Sequence, residues 1–235
     1  MNLLALDTAT EACSAALLCG GQVVARFEAT SRGHTEKLAP MVRGLMAEAG
    51  LGFAQLDGYA CGVGPGSFAG VRIGVSFVKG LALAHARPVV GVSSLAMLAL
   101  PLLQAGASRV LTAIDARMDE IYFAAWQAGA DGLPTVVGDE QVCAPQDAGH
   151  WPGEWAAAGT GWRYAEALRA ATGATLASVD DQALPRAEHA LTIARAAFAA
   201  GRTVAAAELL PRYLRNKVAL TLREQQQARA AKGTP

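Results

Sequence analysis

Residues 60–74 read Ala60-Cys-Gly-Val-Gly-Pro-Gly-Ser-Phe-Ala-Gly-Val-Arg-Ile-Gly74. An apolar run meets a glycine-rich turn and opens into a helical pattern, the strand–turn–helix order of an α/β protein. Such a junction can cradle a phosphate in several known devices, each with its own requirements. A P-loop requires a lysine after its last glycine, and Gly70 is followed by Val71. A nucleophile elbow requires glycines two residues either side of its serine, where Ser67 has Pro65 and Ala69. Gly64–Ala69 fits the dinucleotide pattern GxGxxA, but that device needs an acid about twenty residues on. No Asp or Glu stands between Gly58 and Ile114. What remains is a helix start whose amides near Gly66, Ser67 and Phe68 could hold an anion. Ser67 could equally cap the helix with its own oxygen.

Working outward, Asn2–Leu6 is a short strand ending in the polar turn Asp7-Thr8-Ala9-Thr10. Ala12–Cys19 and Gln22–Ala29 flank Gly20-Gly21, which predicts a hairpin. Leu38, Met41, Val42, Leu45 and Met46 recur at helical spacing in His34–Ala49. A strand at Asp57–Gly62, a helix at Phe68–Ala86, a strand at Val89–Val92 and a helix at Leu95–Gln104 follow. Arg109–Ile114 opens a second round, with Glu120–Trp126 as the return strand and a third near Thr135–Val142. Trp155–Ala158 reads as a strand, then Trp162–Ala171 and Ala187–Ala200 as helices. The order strand-strand-strand-helix-strand-helix thus recurs, each round opening on a strand that ends in an aspartate, Asp7 or Asp115. That predicts two similar α/β lobes, each a mixed sheet with helices, and a cleft between them. The divisions are 1–105, 106–218 (a shortened repeat) and a basic tail at 219–235.

The chain is 52% hydrophobic, 17% charged and formally neutral, so no charge excess advertises a nucleic-acid partner. Its four cysteines, Cys13, Cys19, Cys61 and Cys143, have no zinc-type spacing and suit a reducing cytoplasm. The stretch from Arg87 to Arg109 holds no charge between its ends, but Pro88, Ser93, Ser94, Pro101 and Gln104 break it. It reads as buried core rather than a membrane span. On the Phe68–Ala86 helix, Phe68, Val71, Val75, Val78 and Ala82 make one apolar face and Ile73, Phe77, Leu81 and Ala84 a second. Gly70, Gly74 and Gly80 keep its surface flat. A helix apolar on two sides is fully buried, or lies between its sheet and a partner.

Leu6-Asp7-Thr8-Ala9-Thr10, the run Gly64–Gly74, Asp115-Ala116-Arg117-Met118, Gly159-Thr160-Gly161-Trp162 and Tyr213-Leu214-Arg215 together resemble the TsaB family. The likeness runs from residue 4 to about 218. It implies the two-lobed fold of the actin-like ATPase and sugar-kinase superfamily. It also implies a non-catalytic subunit that pairs with the catalytic TsaD and the ATPase TsaE in making threonylcarbamoyladenosine in tRNA, or with itself when TsaD is absent. Contact with tRNA would be indirect, through the complex. In that family the pairing surface is built from the first two helices. Here it would comprise Leu38, Met41, Val42, Leu45, Val71, Arg72, Val75, Val78, Lys79 and Ala82. Ala69 stands where the family usually has threonine, which removes a hydroxyl that could cap or bind an anion.

For chemistry, the catalytic relative's HxxxH metal pair is missing: His34 is followed four residues on by Leu38. His85, His150 and His189 have no such spacing, so no metal is expected. Asp7, Thr8, Gly66, Ser67 and Asp115 are the candidate nucleotide contacts, with ATP or ADP entering only at the complex. Asp7 and Asp115 read equally as strand-end turn residues. Trp151, Trp155 and Trp162 are candidates for stacking on a base, or for packing. The basic residues Arg212, Arg215, Lys217, Arg223, Arg229 and Lys232 are candidates for phosphate contact, or for a solvated end. The alternatives are an ATP-dependent transferase using Asp7, Asp115 and the glycine turn, and a peptidase with no local motif to support it.

Overall fold

The computed structural model describes residues 1–30 and 33–215. Lys217, Arg223, Arg229 and Lys232, and with them the whole tail from residue 219, lie outside the described residues.

Two five-stranded mixed sheets carry the fold. In the first, β1 (Leu3–Asp7) lies at the centre, antiparallel to β2 (Ala12–Cys19) and parallel to β4 (Gly58–Gly64). β3 (Gln22–Ala29) and β5 (Val89–Ser93) form the edges. Gly20 and Gly21 take φ of 57° and 82°, the left-handed pair that a two-residue hairpin requires. β1 is apolar throughout because both faces are covered. Leu4 and Leu6 enter one core, Leu3 and Ala5 the other.

The second sheet repeats this plan with β6 (Arg109–Arg117) at its centre. β7 (Glu120–Ala128) and β8 (Pro134–Cys143) are antiparallel on one side; β9 (Gly153–Ala158) and β10 (Ala174–Asp180) are parallel on the other. The orders β3-β2-β1-β4-β5 and β8-β7-β6-β9-β10 are the same order. The expected repeat needs three corrections. The helix between the third and fourth strands is replaced by a single turn at Pro145–Asp147. The strand β10 was not anticipated, because Ala174–Asp180 is an exposed edge and lacks an apolar alternation to read. The helix expected at Trp162–Ala171 starts later, as α4 below, after a 3₁₀ turn at Thr160–Tyr164.

Helices α1 (His34–Glu48) and α2 (Phe68–Ala84) cover the outer face of the first sheet. Its inner face is covered by α5 (Ala187–Ala199), with Ala187, Ala190, Leu191 and Ala194 against Leu3, Ala5, Ala16 and Leu18. Conversely α3 (Ser94–Gln104), which follows the first sheet, packs Leu95, Leu98 and Leu103 with Val110, Ile114 and Trp126 of the second. Met97 turns back to the first core. α4 (Ala165–Thr172) closes the far side through Leu168, beside Phe123, Trp155 and Trp162. The layers therefore run helices, sheet, α3 with α5, sheet, helix. A cut at residue 105 separates the sheets, yet each sheet leans on a helix from the other half of the chain. The uncharged stretch before Arg109 is this enclosed helix, with eight of its residues buried. Among the described residues no helix is long and apolar enough to cross a membrane.

The pairing surface expected from the sequence needs correction too. Leu38, Val42, Leu45, Val71, Val75, Val78 and Ala82 are each at most 3% exposed, inside the core between α1, α2 and the first sheet. They are spent within the chain, because each helix must first cover its own sheet. Met41, Arg72 and Lys79 remain half-buried at the surface. If α5 closes the first lobe as described, Leu191→Ala should lower unfolding free energy by about 2–5 kcal/mol in urea titration. The loss should appear in a single transition, since the buried side chain joins α5 to the first sheet.

Candidate functional site

The turn that ends β1 and the glycine stretch that starts α2 are built against each other. A Cβ on Gly70 would overlap the Thr8 carbonyl oxygen, and one on Gly66 the Ala9 carbonyl oxygen. At Gly74 it would lie 2.8 Å from Thr8 Oγ1. Through this approach the Ser67 amide donates to Ala9 O (2.7 Å) and Thr8 Oγ1 donates to Gly70 O (2.7 Å). Ser67 Oγ caps α2 by accepting from the Gly70 amide at 2.9 Å. The phosphate-like stretch is thus a packing joint, and the Ser67 amide that an anion would need is already used.

Asp7 and Asp115 hold equivalent places in the repeat and unlike surroundings. Asp7 is 0% exposed. Its Oδ1 accepts from the Ala9 amide at 3.3 Å, and Oδ2 lies over Gly62 without a hydrogen-bond partner among the described residues. Burial pushes its pKa up to about 7, against the smaller opposing effect of that amide. Asp115 faces the cleft. It accepts from the Arg117 amide (2.9 Å), Arg163 Nη1 (3.1 Å) and Arg117 Nη1 (3.5 Å), while its own amide donates to Thr160 Oγ1 at 3.1 Å. One carboxyl is sealed inside and the other is held by two guanidiniums.

Between the lobes lies a cavity of about 230 Å³, bordered by Thr10, Glu11, His34, Gly66, Asp115 and Arg117. A wider one of about 580 Å³ adjoins it, bordered by Phe68, Val71, Arg72, Tyr122 and Tyr213. Arg117 Nη2 reaches across to Glu11 Oε1 at 2.8 Å, and Tyr122 OH to Gly66 O at 3.5 Å. Arg72 sits 3.1 Å over the Phe68 ring and 5.0 Å from that of Tyr213. The hairpin tip Arg117-Met118-Asp119 holds φ of 61°, 58° and 57°, left-handed values that side chains rarely adopt.

The remaining candidates are occupied. The His34 ring donates from Nε2 to Thr10 O at 2.8 Å, tying α1 to the turn after β1. Burial raises Cys13 and Cys143 to about 11 and Cys61 well above the ordinary thiol range. None of these three is a thiolate nucleophile at neutral pH. Trp155 and Trp162 are buried, and Trp151 packs edge-on to Trp155 with ring centroids 5.9 Å apart. Sequence reading missed Glu11, Tyr122, Thr160 and Arg163. Thr160 stands in the motif Gly159-Thr160-Gly161-Trp162, but no local pattern gives any of the four its role, since their partners lie 45 to 106 residues away.

Two duplicated α/β lobes around a cleft, with helices shared between them, define a protein of the actin-like ATPase and sugar-kinase fold. The family model for TsaD, tRNA N6-adenosine threonylcarbamoyltransferase, matches residues 26–224. The chain is 43% identical over 224 residues to the tRNA threonylcarbamoyladenosine biosynthesis protein TsaB of Escherichia coli K12, spanning 93% of this chain and 96% of that one. It is 39% identical over 230 residues to the protein of that name from Haemophilus influenzae, spanning 93% and 95%. The solved structure of YeaZ from Pseudomonas aeruginosa superposes with a TM-score of 0.84 at 44% identity, covering 91% of this chain and 99% of that one. This chain belongs to the TsaB family.

Gly70→Ala should destabilise the fold by several kcal/mol, because the added carbon meets backbone rather than a movable side chain; a thermal melt checks this. Asp7 also makes stability pH-dependent. Its folded pKa lies above the ordinary aspartate value of 3.8, so its contribution is full below about pH 4 and is lost as pH rises through 7. The loss is on the order of 4 kcal/mol. Urea midpoints should fall across that window, and Asp7→Asn should flatten the fall.

Proposed function

We propose that this chain is a non-catalytic subunit in the biosynthesis of tRNA threonylcarbamoyladenosine. It pairs through α1 and α2 with the catalytic subunit TsaD, works alongside the ATPase TsaE, and pairs with itself when TsaD is absent. It acts in the cytoplasm and meets tRNA through the complex. The observation that carries this reading is the outer face of the two helices. With the inward residues consumed by the core, Met41, Ile73, Phe77 and Leu81 remain half-buried on the outside. Gly44 and Gly80 stand exposed within the helices, and a Cβ at either would meet nothing within 4 Å. Gly70 and Gly74 are required by the chain's own turn; Gly44 and Gly80 are not. A glycine inside a helix costs about 1 kcal/mol relative to alanine. Close approach of a partner's helix accounts for that cost, and apolar neighbours supply the affinity.

The cleft supports a supporting role rather than a reacting one. Asp7 is turned inward, Asp115 is paired with two arginines, and the Ser67 amide is spent. On this reading the chain has no metal or nucleotide of its own, and ATP or ADP would sit only at the junction with its partner. Its contribution is to hold the partner in its working form.

The test separates folding from pairing. Gly80→Gln should leave thermal stability unchanged or slightly raised, since helix propensity improves and nothing clashes. The same variant, and Phe77→Glu, should lose association with TsaD on size exclusion and lose tRNA modification by the reconstituted set. Retention of both properties by both variants overturns the reading. Turnover of ATP in the presence of magnesium by this chain alone would favour the ATP-dependent transferase instead.

A further inference from the structure

The Tyr213-Leu214-Arg215 motif plays no part in the outer helical face, and the path of the chain leading to it gives it another role. After α5 the backbone returns along the first lobe. Val204 bridges to Val89 at the edge of β5, with N–O distances of 2.9 and 3.0 Å. Ala206 and Leu209 are buried in the first-lobe core, and Lys79 Nζ of α2 donates to Ala207 O at 2.9 Å. The Arg212 amide then donates to Val63 O near the end of β4 at 2.8 Å. There the segment changes lobes. Arg212 Nη1 pairs with Glu140 of β8 at 3.3 Å, where the Glu140 side chain is 2% exposed. Leu214 packs into the second-lobe core. The Arg215 guanidinium donates to Ala116 O at 3.1 Å and Arg117 O at 3.4 Å, and pairs with Glu120.

We propose that residues 204–215 form a strap across the mouth of the cleft that fixes the angle between the lobes, with Arg215 as its latch. At the back, α3 and α5 join the lobes in a continuous apolar layer, which is a packed hinge. At the front, the other contacts across the cleft described above are the Arg117–Glu11 pair, with side chains 68% and 45% exposed, and the 3.5 Å contact of Tyr122 with Gly66. An exposed pair of that kind contributes little to holding a cleft. The strap instead sets two main-chain carbonyls and the Glu120 carboxylate against Arg215, and the buried Glu140 carboxylate against Arg212. Its latch grips the hairpin whose three successive left-handed residues need support from their surroundings to persist. Phe68 and Tyr213 stack at 6.0 Å, so the strap also rests on the first turn of α2.

The experiment uses the full chain with Cys19 and Cys143 replaced by serine and nitroxide labels on Ser76→Cys and Glu154→Cys, mixed with an excess of unlabelled chain so that self-pairing adds no intermolecular distance. These two sites are exposed, one on α2 and one on β9. Pulsed dipolar spectroscopy should give one narrow inter-lobe distance for the parent. Arg215→Ala should broaden it toward longer distances and raise hydrogen exchange of the amides at 115–121 at least tenfold, while β1 amides keep parental rates. Glu120→Gln, which leaves the carbonyl bonds of Arg215 in place, should shift both readouts less and in the same direction. It also keeps the test open should Arg215→Ala fail to fold, as does Arg212→Ala. A broad distance distribution in the parent, or distributions and exchange rates that superimpose in the variants that fold, would overturn the proposal.

Discussion

The closeness with which the start of α2 meets the turn after β1 governs the rest of the molecule. Two carbonyl oxygens, those of Thr8 and Ala9, occupy space that a side-chain carbon would need at positions 70 and 66. Only glycine lets the helix settle so deep, and once there its cap, its Ser67 amide and its Gly70 carbonyl are bonded within the lobe. The depth and rotation of α2 follow from this joint. Val71, Val75 and Val78 are turned inward, leaving Ile73, Phe77 and Leu81 half-exposed. A feature that resembles a phosphate cradle thus determines which face of a helix is left for a neighbour.

Duplication built both lobes, but packing has made them unequal. The second lobe lacks a helix between its third and fourth strands. Consequently, among the described residues, a paired outer helical layer is found only on the first lobe. The two aspartates diverge in the same way. Asp7 is enclosed by its lobe's core, whereas Asp115 opens to the cleft and gathers arginines from its own hairpin and from the segment after β9. Equivalent position has not preserved equivalent chemistry.

The exchange of α3 and α5 makes the pair of lobes one packed body at the back. Each helix completes the core of the sheet from the other half of the chain, so neither half would keep its apolar face covered alone. The final segment ties the front. Back and front are held by different physics: buried apolar area at the hinge, and hydrogen bonds to carbonyls with ion pairs to Glu120 and Glu140 at the mouth.

Much of this was legible in the residues. Glycine pairs and apolar periodicity located β1 to β7 and α1 to α3 with their ends within a few positions, because turns and amphipathic faces are local properties. The cap at Ser67 was readable for the same reason. β10 was not, since an exposed edge strand needs no apolar alternation. The sequence by itself determined which positions are apolar, where the chain must turn, and that one pattern occurs twice. Only the tertiary structure decided where each apolar face points. It sent Leu38 and Val75 into their own core, α3 and α5 to each other's sheets, and Arg163 to Asp115. Those choices depend on which distant surfaces meet, and burial rewards the meeting without regard to distance along the chain.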